Sequence, residues 1–303
     1  MALEAGEAMH QVFAAVRTWQ LHHVDELPGH AEVTGRRIFG PSRWEAVCHS
    51  SNCLKNASRD NLLELGFAIL ETSGFEDNPE DDTRTLGNMQ HATIVYIDEA
   101  LSKMENWPIY VEDRKDAHSF LGIEQVFDVT VTYADAKEVR FIGTVDGLVL
   151  HRKFDWAPVL DENKTAARLD NGWRAKWELA HQVTGYCMAG SVLFGFPIVR
   201  SRVQGVKIKP TGKGEDVYVV EPLVRTPDTF AVWGAWLRHT VDMYEQYKEN
   251  WENAPRYSHS CNRFFRPCAL IPFCCDSPEG RLEQWEHMAA ADKSPSERAI
   301  MEM

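Results

Sequence analysis

Three segments typical of β-strands follow one another in the middle of the sequence, and this succession constrains the fold more than any other feature. Glu124–Tyr133 alternates apolar and polar residues, Val139–Leu150 is a second strand interrupted by glycines, and Trp156–Glu162 is a short apolar run. Helical periodicity precedes and follows them, at Asp60–Leu70, Leu86–Met104, Trp173–Ala189 and Phe230–Trp251. We therefore expect an α/β or α+β domain around a mixed sheet.

Further strands are predicted between the last two helical segments. Val192–Val203 and Gly205–Lys209 have the pattern of a hairpin, and Val217–Val224 has that of another strand. The sequence contains no glycine-rich phosphate-binding loop of the Rossmann or P-loop kind, which argues against a nucleotide-driven motor.

The composition is that of an ordinary globular protein. With 303 residues, 44% of them hydrophobic and 25% charged, the chain can bury a sizeable core as one elaborated domain or two modest ones. Its formal net charge of -13 argues against a surface that binds nucleic acid everywhere, but a local basic groove is compatible with it. No long apolar run or signal peptide is present, so we expect a cytosolic (cytoplasmic) protein without a membrane span.

Charged residues near the ends of the second and third strands suit a metal ion. Asp146 stands between two apolar strand halves, and Glu162 precedes Lys164 by two positions, so that these two side chains share one face of a strand. Carboxylates suit Mg²⁺ or Mn²⁺, and a lysine beside such an ion can activate or orient a water and stabilise charge on phosphorus. This combination favours metal-assisted hydrolysis of a phosphodiester.

Each of these acidic residues also has an alternative interpretation. Asp146 could cap a turn, because Asp-Gly is a common turn pair. Asp161 competes with Glu162 as a ligand, but neighbours on a strand face opposite ways and the spacing to Lys164 selects Glu162. Glu124, at the start of the first strand, is interpreted as a solvated strand end, with an additional acidic group of the site as the alternative.

Five sequence elements in one order resemble the RecB-like exonuclease branch of the PD-(D/E)xK nucleases. The segment GTVDGLV around Asp146 and the segment ENKT at 162–165 match the central motif of that branch. The branch also carries a G-x-x-x-H element upstream, here Gly87 to His91, and a Q-x-x-x-Y element downstream, here Gln182 to Tyr186. A subset adds four cysteines that hold an iron–sulfur cluster. Each element alone is common, whereas their order across most of the chain is specific.

The resemblance implies a restriction-endonuclease-like α/β fold, in which helices flank a mixed β-sheet core. It implies a metal-dependent DNA exonuclease that hydrolyses phosphodiester bonds at DNA ends. His91, Asp146, Glu162 and the backbone carbonyl of Asn163 would hold Mg²⁺ or Mn²⁺. Lys164 would be the catalytic lysine, acting with the three ligand side chains.

The resemblance also implies that Gln182 and Tyr186, which share a helix face, hold the DNA strand. Packing of an amphipathic helix is the alternative interpretation of this pair. An acid-free stretch from residue 200 to residue 213 adds a basic strip that could follow a phosphate backbone, although lysines also protect solvated hairpin edges. The DNA contacts predicted on this strip are Arg200, Arg202, Lys207 and Lys209.

The seven cysteines are unevenly spread, with four of them inside fifteen residues near the C-terminus. In a reducing compartment such crowding favours a metal or cluster site over disulfides. Thiolates suit either Zn²⁺ or [4Fe–4S], and the resemblance favours the cluster. Cys53 stays an alternative to the first ligand and Cys275 to the last, while Cys187 is assigned to packing. The cluster ligands implied by the resemblance are Cys48, Cys261, Cys268 and Cys274.

The expected organisation is a single nuclease domain over residues 1–303, with a core at about 86–225. Segments 40–70 and 226–280 would form the cluster-bound part, followed by a polar tail at 281–303. The expected partners are single-stranded or duplex DNA ends, with a second copy of the chain or a recombination or replication protein. Two other functions stay open: a catalytically impaired DNA-binding scaffold with a nuclease fold, and a zinc-binding interaction protein.

Overall fold

The computed structural model of the protein describes residues 2–22, 59–77, 81–102, 106–108, 110–112, 119–151, 154–155, 157–249 and 280. The chain divides into two compact units, Met1–Gly234 and Ala235–Met303. The first unit contains all the strands given below. In the second unit the described residues chiefly continue the last helix, along which Arg238 forms an ion pair with Asp242.

Six of the eight strands in the described residues form one mixed sheet, and the remaining two pair with each other. The main sheet has the order β1-β5-β6-β7-β8, with β4 also paired to β5. β6 and β7 run parallel, whereas the other neighbours in this sheet are antiparallel. The strands are β1 Asn106–Pro108, β2 Tyr110–Glu112, β3 Ser119–Leu121, β4 Ile123–Thr132, β5 Glu138–His151, β6 Ala157–Ala166, β7 Arg200–Lys207 and β8 Tyr218–Val224.

Helices flank this sheet and bury two separate apolar clusters against it. The described α-helices are α1 Ala2–His22, α2 Arg59–Glu71, α3 Leu86–Ser102, α4 Asn171–Ala175, α5 His181–Phe194 and α6 Pro227–Tyr247. The first three helices share one cluster and the fourth and fifth share the other. Tyr218 and Val219 are neighbours on β8 and enter different clusters, because successive side chains of a strand face opposite ways. The expectation of an α/β fold with a mixed sheet flanked by helices is therefore confirmed.

The three central strands lie close to their predicted positions, as β4, β5 and β6. β6 continues past Glu162 to Ala166, so that Glu162 and Lys164 both lie within the strand. The helices α2 and α3 also begin and end within a few residues of the predicted bounds.

The region after β6 differs from its prediction. The predicted helix Trp173–Ala189 is two helices, since turns at 176–179 separate α4 from α5. The Asp170 side chain caps the start of α4 by accepting a hydrogen bond from the Trp173 amide at 2.9 Å. The predicted hairpin beginning at Val192 is wrong, since α5 continues to Phe194 and ends at Gly195 in the left-handed conformation. β7 instead forms its hairpin with β8.

α1 was not predicted from the sequence, although it contributes half a dozen buried residues or more to the first cluster. Its apolar positions are occupied largely by alanine, methionine and valine, which give a weak periodic signal. Among the described helices, none has the length and apolar character needed to cross a membrane.

Candidate functional site

Four of the residues predicted for catalysis and metal binding lie together where β5 runs beside β6. The two strands are antiparallel, with Gly147 opposite Asp161, and this register brings Asp146 beside the segment that begins at Glu162. The Asn163 amide donates a hydrogen bond to Asp146 Oδ2 at 2.8 Å. Lys164 Nζ lies 2.5 Å from Glu162 Oε1. The structure thus brings Asp146, Glu162, Asn163 and Lys164 into one cluster.

Glu162 is fully buried, which is unusual for a carboxylate. Neither of its carboxylate oxygens accepts a well-aligned hydrogen bond from the described part of the chain, although the Lys164 ammonium is in contact with one of them. Burial raises the pKa of Glu162 to about 8; the charge of Asp146 acts in the same direction and Lys164 acts against it. Two neighbouring buried carboxylates with incomplete partners are an arrangement that a divalent cation stabilises.

Lys164 is charged in this setting. Burial by itself lowers the pKa of Lys164, but the charges of Glu162 and Asp146 outweigh burial and raise it above the usual value. The side chain is about a quarter exposed, so its ammonium can reach a group that enters the cluster from outside.

Gln182 and Tyr186 lie on α5 beside this cluster. Gln182 Nε2 donates a hydrogen bond to the Tyr186 hydroxyl at 3.2 Å. Burial raises the pKa of Tyr186, the hydrogen bond from Gln182 acts in the opposite direction, and the charges of Glu162 and Asp146 add to the increase. Tyr186 therefore lies within the electrostatic field of the carboxylates, and Gln182 is tied to it by the hydrogen bond.

The histidine of the cluster is His10, on α1, and not His91. His10 Nδ1 lies 3.6 Å from Asp146 Oδ1. His91 Nε2 lies 3.2 Å from the carbonyl oxygen of Gly212, in the loop between β7 and β8, and His91 is not among the residues gathered around Asp146. The structure therefore brings His10, and not His91, next to Asp146, and His10 is the candidate histidine ligand that this geometry offers.

His10 is held in the neutral form that binds metals. Burial lowers the pKa of His10, and the nearby charges of Lys164 and Arg17 lower it further. Asp146 and a hydrogen bond from the ring to the Asn163 backbone act in the opposite direction without reversing the shift. The ring thus faces both the Asp146 carboxylate and the backbone of Asn163, whose carbonyl was predicted as a ligand.

Glu124 completes a group of three candidate ligands. One ligand atom each of His10, Glu124 and Asp146 lies within 4.8 Å of the others. Glu124 has a φ of 44°, in the left-handed region that costs a non-glycine residue about 1 kcal/mol, and such strain is typical of functional sites. A cavity of about 530 Å³ adjoins the group and is lined by Glu7, His10, Gln11, Ala14, Glu124, Gln125 and Val126.

The four residues of the predicted basic strip have two different environments, since Arg202 differs from the other three. The Arg202 guanidinium donates to both carboxylate oxygens of Asp161, at 2.7 and 2.6 Å, and also contacts His151. Its side chain is 13% exposed, so Arg202 is a structural ion-pair partner and does not offer its charge to a phosphate. Arg200, Lys207 and Lys209 are partly exposed, with the Arg200 guanidinium 5.2 Å from the centre of the Phe154 ring.

The predicted cluster cysteines Cys48, Cys261, Cys268 and Cys274, and the alternatives Cys53 and Cys275, lie outside the described residues. The iron–sulfur cluster therefore stays a prediction. Cys187 is buried in the second apolar cluster, in agreement with its assignment to packing.

Sequence reasoning missed His10 as a ligand and interpreted Glu124 as solvated, although Glu124 is partly buried. A signal for His10 is present, since Gly6-Glu-Ala-Met-His10 has the same G-x-x-x-H spacing as Gly87 to His91. For Glu124 the signal is its place on the strand before Asp146, which allowed an additional acidic group of the site as the alternative interpretation.

No model of a known protein family matches this sequence, and no curated protein matches it. The function proposed below depends on the geometry of the cluster together with the order of the sequence motifs.

Proposed function

We propose that the protein is a Mg²⁺- or Mn²⁺-dependent DNA exonuclease of the RecB-like PD-(D/E)xK type, acting at DNA ends. The observation that carries this proposal is the buried Glu162 carboxylate, which lacks well-aligned donors in the described residues and lies next to Asp146 and Lys164. A fold gains little from two buried acids side by side, whereas a cation bound between them would neutralise both.

The donors present fit a hard divalent cation. His10, Glu124 and Asp146 form the group whose ligand atoms lie within 4.8 Å of one another. Glu162 and the backbone of Asn163 adjoin Asp146, so that the potential ligands are mainly oxygens. Such a set suits Mg²⁺ or Mn²⁺ better than a metal that prefers thiolates. When bound, the cation would polarise the phosphodiester and lower the pKa of a water.

The remaining residues of the cluster have roles that follow from charge and position. Lys164 orients the attacking water and stabilises the negative charge that develops on phosphorus. Gln182 and Tyr186 hold the DNA strand from the α5 side. Arg200, Lys207 and Lys209 lie on the strand next to β6 or directly after it and contact the phosphate backbone.

Replacement of Lys164 tests this proposal. We expect Lys164→Ala to reduce degradation of end-labelled oligonucleotides in Mn²⁺ by about 100-fold or more. The reason is that the Lys164 ammonium would no longer stabilise the negative charge that develops on phosphorus. DNA binding, measured by anisotropy, should change little. Lys176→Ala is the matched control, since Lys176 lies against the Trp177 ring, 4.5 Å from its centre, and cleavage should be retained.

Two outcomes of this experiment test the proposed function against its alternatives. Cleavage by the Lys164 variant at the wild-type rate would contradict the assignment. Binding of DNA by the wild-type protein without cleavage in either cation would favour the scaffold function. Parallel substrates with single-stranded and duplex ends show which end the enzyme prefers.

A further inference from the structure

Arg17 lies on α1 about two helical turns after His10, so that both residues belong to the same face of the helix. It is 2% exposed, which is exceptional for an arginine. Burying a guanidinium costs free energy unless its N–H groups donate hydrogen bonds to protein acceptors.

The Arg17 guanidinium bridges the two strands that carry the candidate ligands. It donates to the backbone carbonyl of Asp146 on β5 at 3.0 Å and to that of Asp161 on β6 at 3.5 Å. When the Asn163 amide is oriented with its oxygen towards the guanidinium, this oxygen accepts from both terminal nitrogens at 2.8 Å. One side chain therefore contacts Asp146, Asn163 and the residue before Glu162.

Gly147, directly after Asp146, is what allows this approach. A Cβ atom at position 147 would lie 2.6 Å from Arg17 Nε and 2.7 Å from Cζ, closer than real Cβ contacts. Any larger residue would displace the guanidinium or the strand. The Asp-Gly pair thus serves the packing of Arg17 as well as the conformation of β5.

We propose that Arg17 is a positioning residue that sets the cation ligands of the proposed nuclease, an inference that rests on the proposed function. By binding the carbonyl of Asp146 and the side chain of Asn163, Arg17 leaves the Asp146 carboxylate and the Asn163 carbonyl for the cation. It also ties α1, and with it His10, to both strands. The planar guanidinium has enough donors to hold the two backbone carbonyls and the Asn163 side-chain oxygen, which a lysine ammonium cannot do with the same geometry.

Titration of the protein with MnCl₂ by calorimetry tests this role. We expect Arg17→Met to weaken Mn²⁺ binding by about 10-fold or more, as loss of residues that orient metal ligands does in other metal sites. Arg202→Met is the matched control. Arg202 is a second buried arginine that contacts Asp161, but it has no hydrogen bond to Asp146 or Asn163 in the described structure. We expect it to lower the thermal midpoint as much while changing the Mn²⁺ affinity less than about 3-fold.

Gly147→Ala provides a second variant that keeps the charge of Arg17 and displaces its guanidinium, and it should also weaken Mn²⁺ binding. It replaces Arg17→Met as the test if that variant does not fold. Wild-type affinity in a folded Arg17→Met or Gly147→Ala protein would overturn the positioning role alone. An equal loss in Arg202→Met would also overturn it, because the effect would then be general destabilisation. A wild-type protein that binds no Mn²⁺ would overturn the proposed function and this inference with it.

Discussion

Glu162 combines complete burial with a charged neighbour of the same sign, and an isolated carboxylate in this position would cost several kcal/mol. The ammonium of Lys164 offsets part of this cost. The cost that Lys164 does not offset raises the pKa of Glu162 from its ordinary value of 4.5 to about 8 in the folded protein. The folded protein without cation therefore keeps a proton that the unfolded chain loses, and its stability falls as the pH rises through this window.

We expect Glu162→Gln to remove this pH dependence, since an amide does not titrate. In EDTA, the free energy of unfolding of the wild-type protein should fall between about pH 5.5 and about pH 8.5 relative to the variant, by about 2 kcal/mol. Urea unfolding at the two pH values measures the difference, while DNA cleavage by the variant should be lost. Parallel changes in the two proteins would show that Glu162 is not the titrating group.

The sequence identifies Glu162 and Lys164 as neighbours because residues two apart on a strand share a face. Asp146 joins them through the pairing of β5 with β6, which the resemblance indicates and local spacing does not. The ligand histidine is not determined in this way. Of the G-x-x-x-H elements in the sequence, two lie on helices and end at His10 and at His91, and only the packing of those helices distinguishes them. The sequence likewise does not reveal that Arg202 is buried, because an arginine on a strand is usually predicted to face solvent.

At the scale of elements, the histidine that lies beside Asp146 comes from α1 and not from α3. We expect His10→Ala to weaken Mn²⁺ binding by about 10-fold or more, because one ligand is removed. His91→Ala is the matched control and should keep the affinity, costing about 1 kcal/mol of stability through its lost contact with Gly212. Calorimetric titration and urea unfolding of both variants give the two quantities. A loss of Mn²⁺ affinity in the His91 variant and not in the His10 variant would show that the ligand is His91 on α3.

Alternation of apolar and polar residues predicts β4 and β5 well, because each strand has one face on a core. The same reasoning fails after α5 begins. The apolar residues from Val192 to Phe194 are the last turn of that helix, and their continuity with β7 in the sequence suggests a strand. The stop signal is Gly195, whose left-handed conformation a local pattern does not reveal.

At the scale of the whole molecule, the cysteine pattern predicts an iron–sulfur cluster. Protein purified without oxygen should be brown and absorb broadly in the visible range, and Cys268→Ser should be colourless. Single replacement of Cys48 and of Cys53 identifies the N-terminal ligand, since only one of them should bleach the protein. A colourless wild-type preparation that contains zinc would contradict the cluster and favour the zinc site.

The tie between Arg17 and the carbonyls of Asp146 and Asp161 spans 129 and 144 positions of the chain. Contacts of such separation form slowly, because a long loop must close before they contribute energy. Until the first helix docks against both strands, the paired strands hold Asp146 beside Glu162, but His10 and the Arg17 tie are missing. In the proposed nuclease, cutting of DNA would therefore wait for the docking of this helix.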